Sequence, residues 1–242
     1  MENRQPLITR AAHGAKMLVH RAGFDVSRDT FKHRFMYQVA QHGIDTVLDI
    51  GANAGQFGTL LRQSRFAGLI HSVEPLRSAY DQLAAVAAAD PRWNVQRAAV
   101  SAEPGTLTMN VSSNSVSSSV LPMLERHASA APSAQYVTQE EVPATTVDEI
   151  VAATGLEPER TLLKVDVQGY EREVLDGASK TLPTFRAVRT EMSLVPLYDG
   201  QALMPEIVDL LGRHGFELWF IEPGFTEPGT RRLLQLDGIF FR

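Results

Sequence analysis

From residue 46 onward, short apolar runs rich in β-branched residues alternate with stretches of helical length. This alternation constrains the fold more than any other feature. Thr46–Ile50, Leu69–Val73, Asn94–Val100, Leu162–Asp166 and Ala187–Met192 read as strands buried in a parallel sheet. The stretches between them read as helices: about Gln56 to Ser64, Ser78 to about Ala89, Thr146 to Thr154, and from Gly169 to about Leu182. Ser78 and Thr146 are the expected N-caps, Glu149 completes a capping box with Thr146, and Leu83, Val86 and Ala87 face inward. Such spacing predicts βαβ units with right-handed crossovers. After a helix over Pro205–His214, the strands Leu218–Ile221 and Gly238–Phe241 follow one another with only a Gly/Pro-rich loop between them. Without a crossover helix they must pair antiparallel. The expected architecture is an α/β, mostly parallel seven-stranded sheet with an antiparallel last strand.

Residues 1–43 read as an N-terminal helical cap, broken near Ala22–Asp25, with a second helix from Arg28 to His42 and Gly43 as its C-cap. Residues 44–242 read as the main domain. Leu7–Arg21 mixes apolar residues with Arg10, Lys16, His20 and Arg21. A helix packed on the domain is the plain reading, and a helix resting on a membrane surface is the other. No apolar run is long enough to cross a membrane, and no signal-peptide pattern opens the chain, so a cytoplasmic location is expected, with the inner membrane face as a variant. Thr106–Val111 reads as a hairpin partner of the third strand. Ser112–Ser119 (SSNSVSSS) is low-complexity polar sequence and reads as a surface loop.

The 242 residues contain no cysteine, which excludes disulfides, thiolate metal sites and cysteine nucleophiles. A formal net charge of −5 argues against a surface built for nucleic acid. The seven histidines lack metal-ligand spacing.

Open α/β sheets bind ligands at the carboxyl ends of their strands. The first strand here runs into Asp49-Ile-Gly-Ala-Asn-Ala-Gly55, where Gly51 and Gly55 permit a sharp turn and close approach of a ligand. Asn53 lies within this turn, and Gln56 and Phe57 open the helix whose N-terminus points at the pocket. A carboxylate at Asp49 suits a cationic ligand, such as a methionine-type amino group, better than a pyrophosphate. Glu74, followed by Pro75, ends the second strand where an acid accepts hydrogen bonds from ribose hydroxyls.

These residues resemble the FkbM family of methyltransferases. Asp49, Gly51, Asn53 and Gly55 match its first turn, and Glu74-Pro75 its second strand end. Lys164-Val-Asp166-Val-Gln168-Gly169-Tyr-Glu171, followed by Val174-Leu-Asp-Gly177-Ala178, matches its second signature, and Glu191 its acidic end of the fifth strand. The similarity runs from about Thr46 onward. Gln168 departs from it, standing where the family usually has Glu. The resemblance implies a class I, Rossmann-like fold, S-adenosylmethionine as cofactor, and O-methylation of a sugar hydroxyl in a glycolipid, a polysaccharide or a natural product. It places Asp49, Gly51, Asn53, Gly55, Gln56, Phe57, Glu74, Pro75 and Asp166 around that cofactor. It leaves Asp166 and Glu191 as the catalytic candidates.

A sugar hydroxyl needs a base, or a metal that lowers its pKa, to attack in line. Asp166 fits the role of base; with Glu191 it also fits binding of Mg2+, which prefers oxygen ligands. Lys164 shares a strand face with Asp166 and can tune it by charge. Glu171 reads as a structural acid in the first turn of its helix. Ser112–Pro143 reads as an acceptor lid. His127 is a second candidate base. Tyr198 and Trp219 can stack on a sugar ring, although Trp219, inside an apolar strand, reads first as core. The expected partners are a small-molecule or glycolipid acceptor, a peripheral membrane contact and a second copy of the chain. Two other classes compete: an NAD-dependent oxidoreductase, and a relative that binds the cofactor without catalysis.

Overall fold

A computed structural model describes residues 31–242. The amphipathic segment Leu7–Arg21, the break at 22–25 and the start of the second helix lie outside the described residues. Helix α1 spans Phe31–Gln41, with the rings of Phe31 and Phe35 stacked 6.1 Å apart. Gly43, at φ +65°, turns the chain after it. The compact unit that carries the sheet runs from Val39 to Arg242.

Within that unit, β1 (Thr46–Ile50), β2 (Leu69–Val73), β3 (Trp93–Gln96), β7 (Thr161–Val165), β8 (Ala187–Ser193), β9 (Glu217–Pro223) and β10 (Gln235–Phe241) form one seven-stranded sheet. Its order is β3-β2-β1-β7-β8-β10-β9. All neighbours pair in parallel except β10, which runs antiparallel to both β8 and β9. The expected antiparallel ending is therefore present, with the later strand inserted between two earlier ones. β1 and β7 are buried along their whole length. Between the strands run α2 (Gln56–Gln63), α3 (Arg77–Ala87), α5 (Val147–Thr154), α6 (Glu171–Asp176) and α7 (Met204–Arg213). Among the described residues, no helix is long and apolar enough to cross a membrane.

The third strand departs from expectation. It stops at Gln96, and Ala99–Val100 form a separate strand, β4, in a second sheet of order β4-β6-β5. β5 (Gly105–Ser112) pairs antiparallel with β6 (Tyr136–Thr145), not with the third strand. A helix, α4 (Glu125–Ala130), lies in the connection between β5 and β6. Three local readings also shift. Helix α3 begins one residue before Ser78, with Leu76 as an N-cap that offers no side-chain bond. Its buried positions are then Ala79, Leu83 and Ala87, and Val86 is exposed. The helix expected from Gly169 to Leu182 ends at Asp176 and gives way to turns. Thr146 does cap α5, accepting from the Glu149 N–H, while the Glu149 carboxylate takes the Thr145 hydroxyl instead of closing the box.

The candidate methyl-transfer site

The carboxyl ends of β1, β2 and β7 open into a cavity of about 410 Å3. Two loops shape it. The first follows β1. Gly51 (φ +71°) lies against the second loop, since a Cβ there would sit 1.8 Å from the Asp166 carbonyl oxygen. Only glycine fits this approach. Asn53 is also left-handed, at φ 46°, and its side-chain oxygen accepts from the Ala54 N–H. Glu74 secures this loop: its two oxygens accept the N–H groups of Asn53 (2.9 Å) and Leu76 (3.0 Å). Burial pushes the Glu74 carboxyl up to about 7, against the pull of these bonds and of Lys164. Each oxygen keeps a further acceptor direction, which suits a vicinal diol.

Asp49 lies behind the cavity wall and not on it. The residue is fully buried; its carboxylate takes the Ser72 hydroxyl (3.1 Å) and pairs with the Lys164 ammonium (3.1 Å). Trp93 continues the chain by donating to Ser72 (3.0 Å). Lys164 also donates to the Gly51 carbonyl (2.9 Å). Burial pulls the Lys164 pKa down, but the Asp49 and Asp166 charges outweigh it and the net direction is up.

The second loop follows β7. Glu171 secures it from within: one carboxylate oxygen accepts both the Val167 and Gly169 N–H groups, each at 3.1 Å. Glu171 is buried, and burial pushes it up to about 7. Gln168, at φ 57°, is left-handed and reaches three partners. Its amide nitrogen donates to Asp166 (3.1 Å) and to Glu191 (2.9 Å), and its oxygen accepts the Tyr198 hydroxyl (2.9 Å). Asp166 lines the cavity with its side chain 37% exposed, 3.6 Å from the Lys164 ammonium. Glu191 is outside the cavity lining. Burial, then the charges of Asp166, Glu171 and Asp237, push its carboxyl well up.

Of the residues placed around the cofactor by sequence, Gly51, Asn53, Gln56, Phe57, Glu74, Pro75 and Asp166 line the cavity; Asp49 and Gly55 do not. Sequence reasoning missed Tyr170, Arg189 and Asp237, which also line it. Arg189 pairs with Asp237 (3.0 Å) and Glu222 (2.9 Å), its guanidinium 5.0 Å from the Phe57 ring centre. The opposite wall is apolar: Leu76, Ala98–Val100, Met109, Val116 and Val120. An apolar slot, a diol acceptor at Glu74 and a charged end near Asp166 together fit S-adenosylmethionine, with its flat base, ribose and amino-acid tail. Among the described residues, no group of three or more His, Asp or Glu side chains is arranged to hold a metal.

The expected lid contributes only in part. Ser115, Val116, Ser118 and Val120 reach the cavity, while its later residues form β6. The serine tract is no solvated loop: Ser112, Ser117, Ser118 and Ser119 are buried. Ser115 accepts from the Asn53 amide (3.3 Å), and Ser119 donates to the Gln168 carbonyl (2.7 Å), so the tract touches both loops. His127 is buried against the rings of Tyr198 and Phe225 and lies off the cavity. Burial lowers its pKa. Tyr198 is fully buried, with no face for a sugar. Trp219, read first as core, is 44% exposed on the edge strand, packed on one side against His42 and Phe241.

The sheet order, with its antiparallel β10, and the cavity at the strand ends define a class I methyltransferase fold. The family model of the methyltransferase FkbM domain matches residues 49–218, and the chain belongs to this family of S-adenosylmethionine-dependent methyltransferases. The oxidoreductase alternative is thereby set aside. No curated protein matches the chain. Among solved structures it is similar to an rRNA methylase from Streptococcus thermophilus (9% identity, 90% of this chain and 99% of the other, TM-score 0.48). It is similar as well to the methyltransferase domain of bacterial CtHen1 (12% identity, 87% and 97%, TM-score 0.44). A third is precorrin-6y C5,15-methyltransferase from Geobacter metallireducens (10% identity, 91% and 95%, TM-score 0.42). At these identities and scores, the substrates of those proteins say nothing about this one.

Proposed function

We propose that this chain methylates a hydroxyl oxygen of a sugar, carried on a glycolipid, a polysaccharide or a natural product. The observation that carries the reading is Asp166: a carboxylate at the end of β7, exposed into the cavity and held by Gln168 on one oxygen. Its other oxygen, near Lys164, is free to take a proton from a hydroxyl as that oxygen becomes nucleophilic. Bound S-adenosylmethionine supplies a methyl group on a positively charged sulfur. Glu74 and the backbone of Gly51–Asn53 would hold the nucleoside end, fixing the direction from which an acceptor must approach. The sugar class rests on the family resemblance, with the Ser115 and Ser118 hydroxyls in the cavity lining as its structural support. We favour a base over a Mg2+ ion because the Gln168 amide already fills the gap between Asp166 and Glu191 with N–H donors, which repel a cation.

The test is transfer of radiolabelled methyl from S-adenosylmethionine to a panel of glycosides and glycolipid extracts, with product linkage read by mass spectrometry. Label on a sugar oxygen, lost in Asp166→Asn, is the expected result. Label on nitrogen or carbon, or full activity in Asp166→Asn, would overturn the reading.

A further inference from the structure

Asp166 and Glu191 stand one residue beyond the last parallel pair of their strands, Val165 and Thr190, so two carboxylates leave adjacent strands side by side. Like charges so placed repel unless something positive, or a proton, lies between them. Here the Gln168 amide lies between them, 3.1 Å from one and 2.9 Å from the other. Its orientation follows from chemistry. Glu191 Oε2, which already accepts from Gln235, and the Asp166 oxygen both present acceptors, so the nitrogen faces them, and the Tyr198 hydroxyl supplies the donor that the amide oxygen needs. Tyr198 has no exposed surface and cannot turn to water. Ser119 holds the Gln168 backbone, and Gln235 adds a second donor to Glu191 (2.6 Å). Every polar atom of the Gln168 side chain is thus engaged by a side chain that has reason to be there.

We propose that Gln168 is a positioning residue whose amide does the work of a divalent cation: it joins Asp166 to Glu191 and aims Asp166 into the cavity. Unlike a bound cation, the Gln168 amide places no net positive charge beside Asp166. The catalytic half of this inference rests on Asp166 as the base; the cation half does not. An isosteric Gln168→Glu removes both donors and brings three carboxylates together, a set that hard cations prefer. The amide is therefore the feature that keeps this chain free of a metal requirement.

The experiment uses the full chain and Mn2+ alone, titrated at pH 8 and followed by the loss of the free-ion paramagnetic resonance signal. Gln168→Glu is expected to bind Mn2+ roughly tenfold or more tightly than the unaltered chain. Adding Glu191→Gln to it should abolish that gain. Equal Mn2+ binding by the unaltered chain and Gln168→Glu would overturn the proposal. Turnover provides the second readout: EDTA should leave the unaltered chain active, and should silence Gln168→Glu until Mg2+ is restored. Should Gln168→Glu fail to fold, Gln168→Met removes the donors without adding charge. It is expected to lower kcat while leaving S-adenosylmethionine affinity and Mn2+ binding unchanged; kcat equal to that of the unaltered chain would remove the positioning role. Because Mn2+ binding needs no acceptor, a failure of the sugar reading leaves the cation result standing, and the two are told apart.

Discussion

The two loops at the cavity are built alike and differ in where their charge lies. Each leaves a fully buried strand, each contains a left-handed residue other than glycine, and each is tied by a buried glutamate that accepts two backbone N–H groups. In the first, the strand-end carboxylate of Asp49 is sealed, with its side chain 0% exposed and Lys164 against it. In the second, Asp166 has its side chain 37% exposed and shares the same lysine at longer range. A sealed, paired charge holds a shape; an accessible one can exchange a proton with a substrate. One lysine between two aspartates thus joins a sealed loop to an accessible one.

That division can be broken at several points. The largest effect belongs to Asp166→Asn, which should lower kcat by roughly 10²–10⁴-fold, the range for a general base, while calorimetry finds cofactor affinity little changed. Next comes Lys164→Met, which leaves Asp49 buried without its partner. Urea unfolding should show a loss of about 3–5 kcal/mol, much of it recovered when Asp49→Asn is added.

Glu171→Gln keeps an oxygen for both loop N–H groups and removes the charge. Since burial raises the folded pKa of Glu171 from 4.5 to about 7, its ionisation weakens the fold as pH climbs from about 4.5 through 7. The variant should equal the parent at acidic pH and exceed it at pH 8, by on the order of 3 kcal/mol if no water enters. Equal stability at both ends would mean that the second loop is not held by a strained charge. The smallest effect is expected at Glu74, raised to about 7 by burial. Ribose hydroxyls donate best to the charged form, so cofactor affinity should rise as pH passes from 6 to 8, by up to roughly tenfold. Glu74→Gln should flatten that slope.

What could be read from sequence was what lies close in the chain. The strand, glycine turn and helix from Thr46 to Gln63 declare themselves by short-range pattern, as do the acidic strand ends at Glu74 and Asp166. The second sheet did not, because β6 contains Pro143 and paired glutamates that look unlike a strand until β5 is found opposite. The serine tract misled for a related reason: its hydroxyls read as solvent-seeking, yet they bond one another and the loops, as in Ser118 to the Ser112 N–H. Arg189 and Asp237 were invisible because their meeting depends on strand register across 48 residues of chain. Gln168 was noticed only as a departure; its role needed the positions of Glu191 and Tyr198.

The insertion of β10 between β8 and β9 also bears on how the chain is made. In the large sheet, β2, β3, β7 and β8 each meet a partner that has already emerged. β9 cannot: its partner follows it along the chain and emerges later, and Leu218 and Ile221, still 37% and 51% exposed in the folded protein, are bare meanwhile. Until residues 235–241 arrive, two unmatched edges wait with their hydrogen-bonding groups open, the state in which strands stick to other chains. Closing that gap in one late, long-range step should be what limits the yield of folded protein when synthesis is fast.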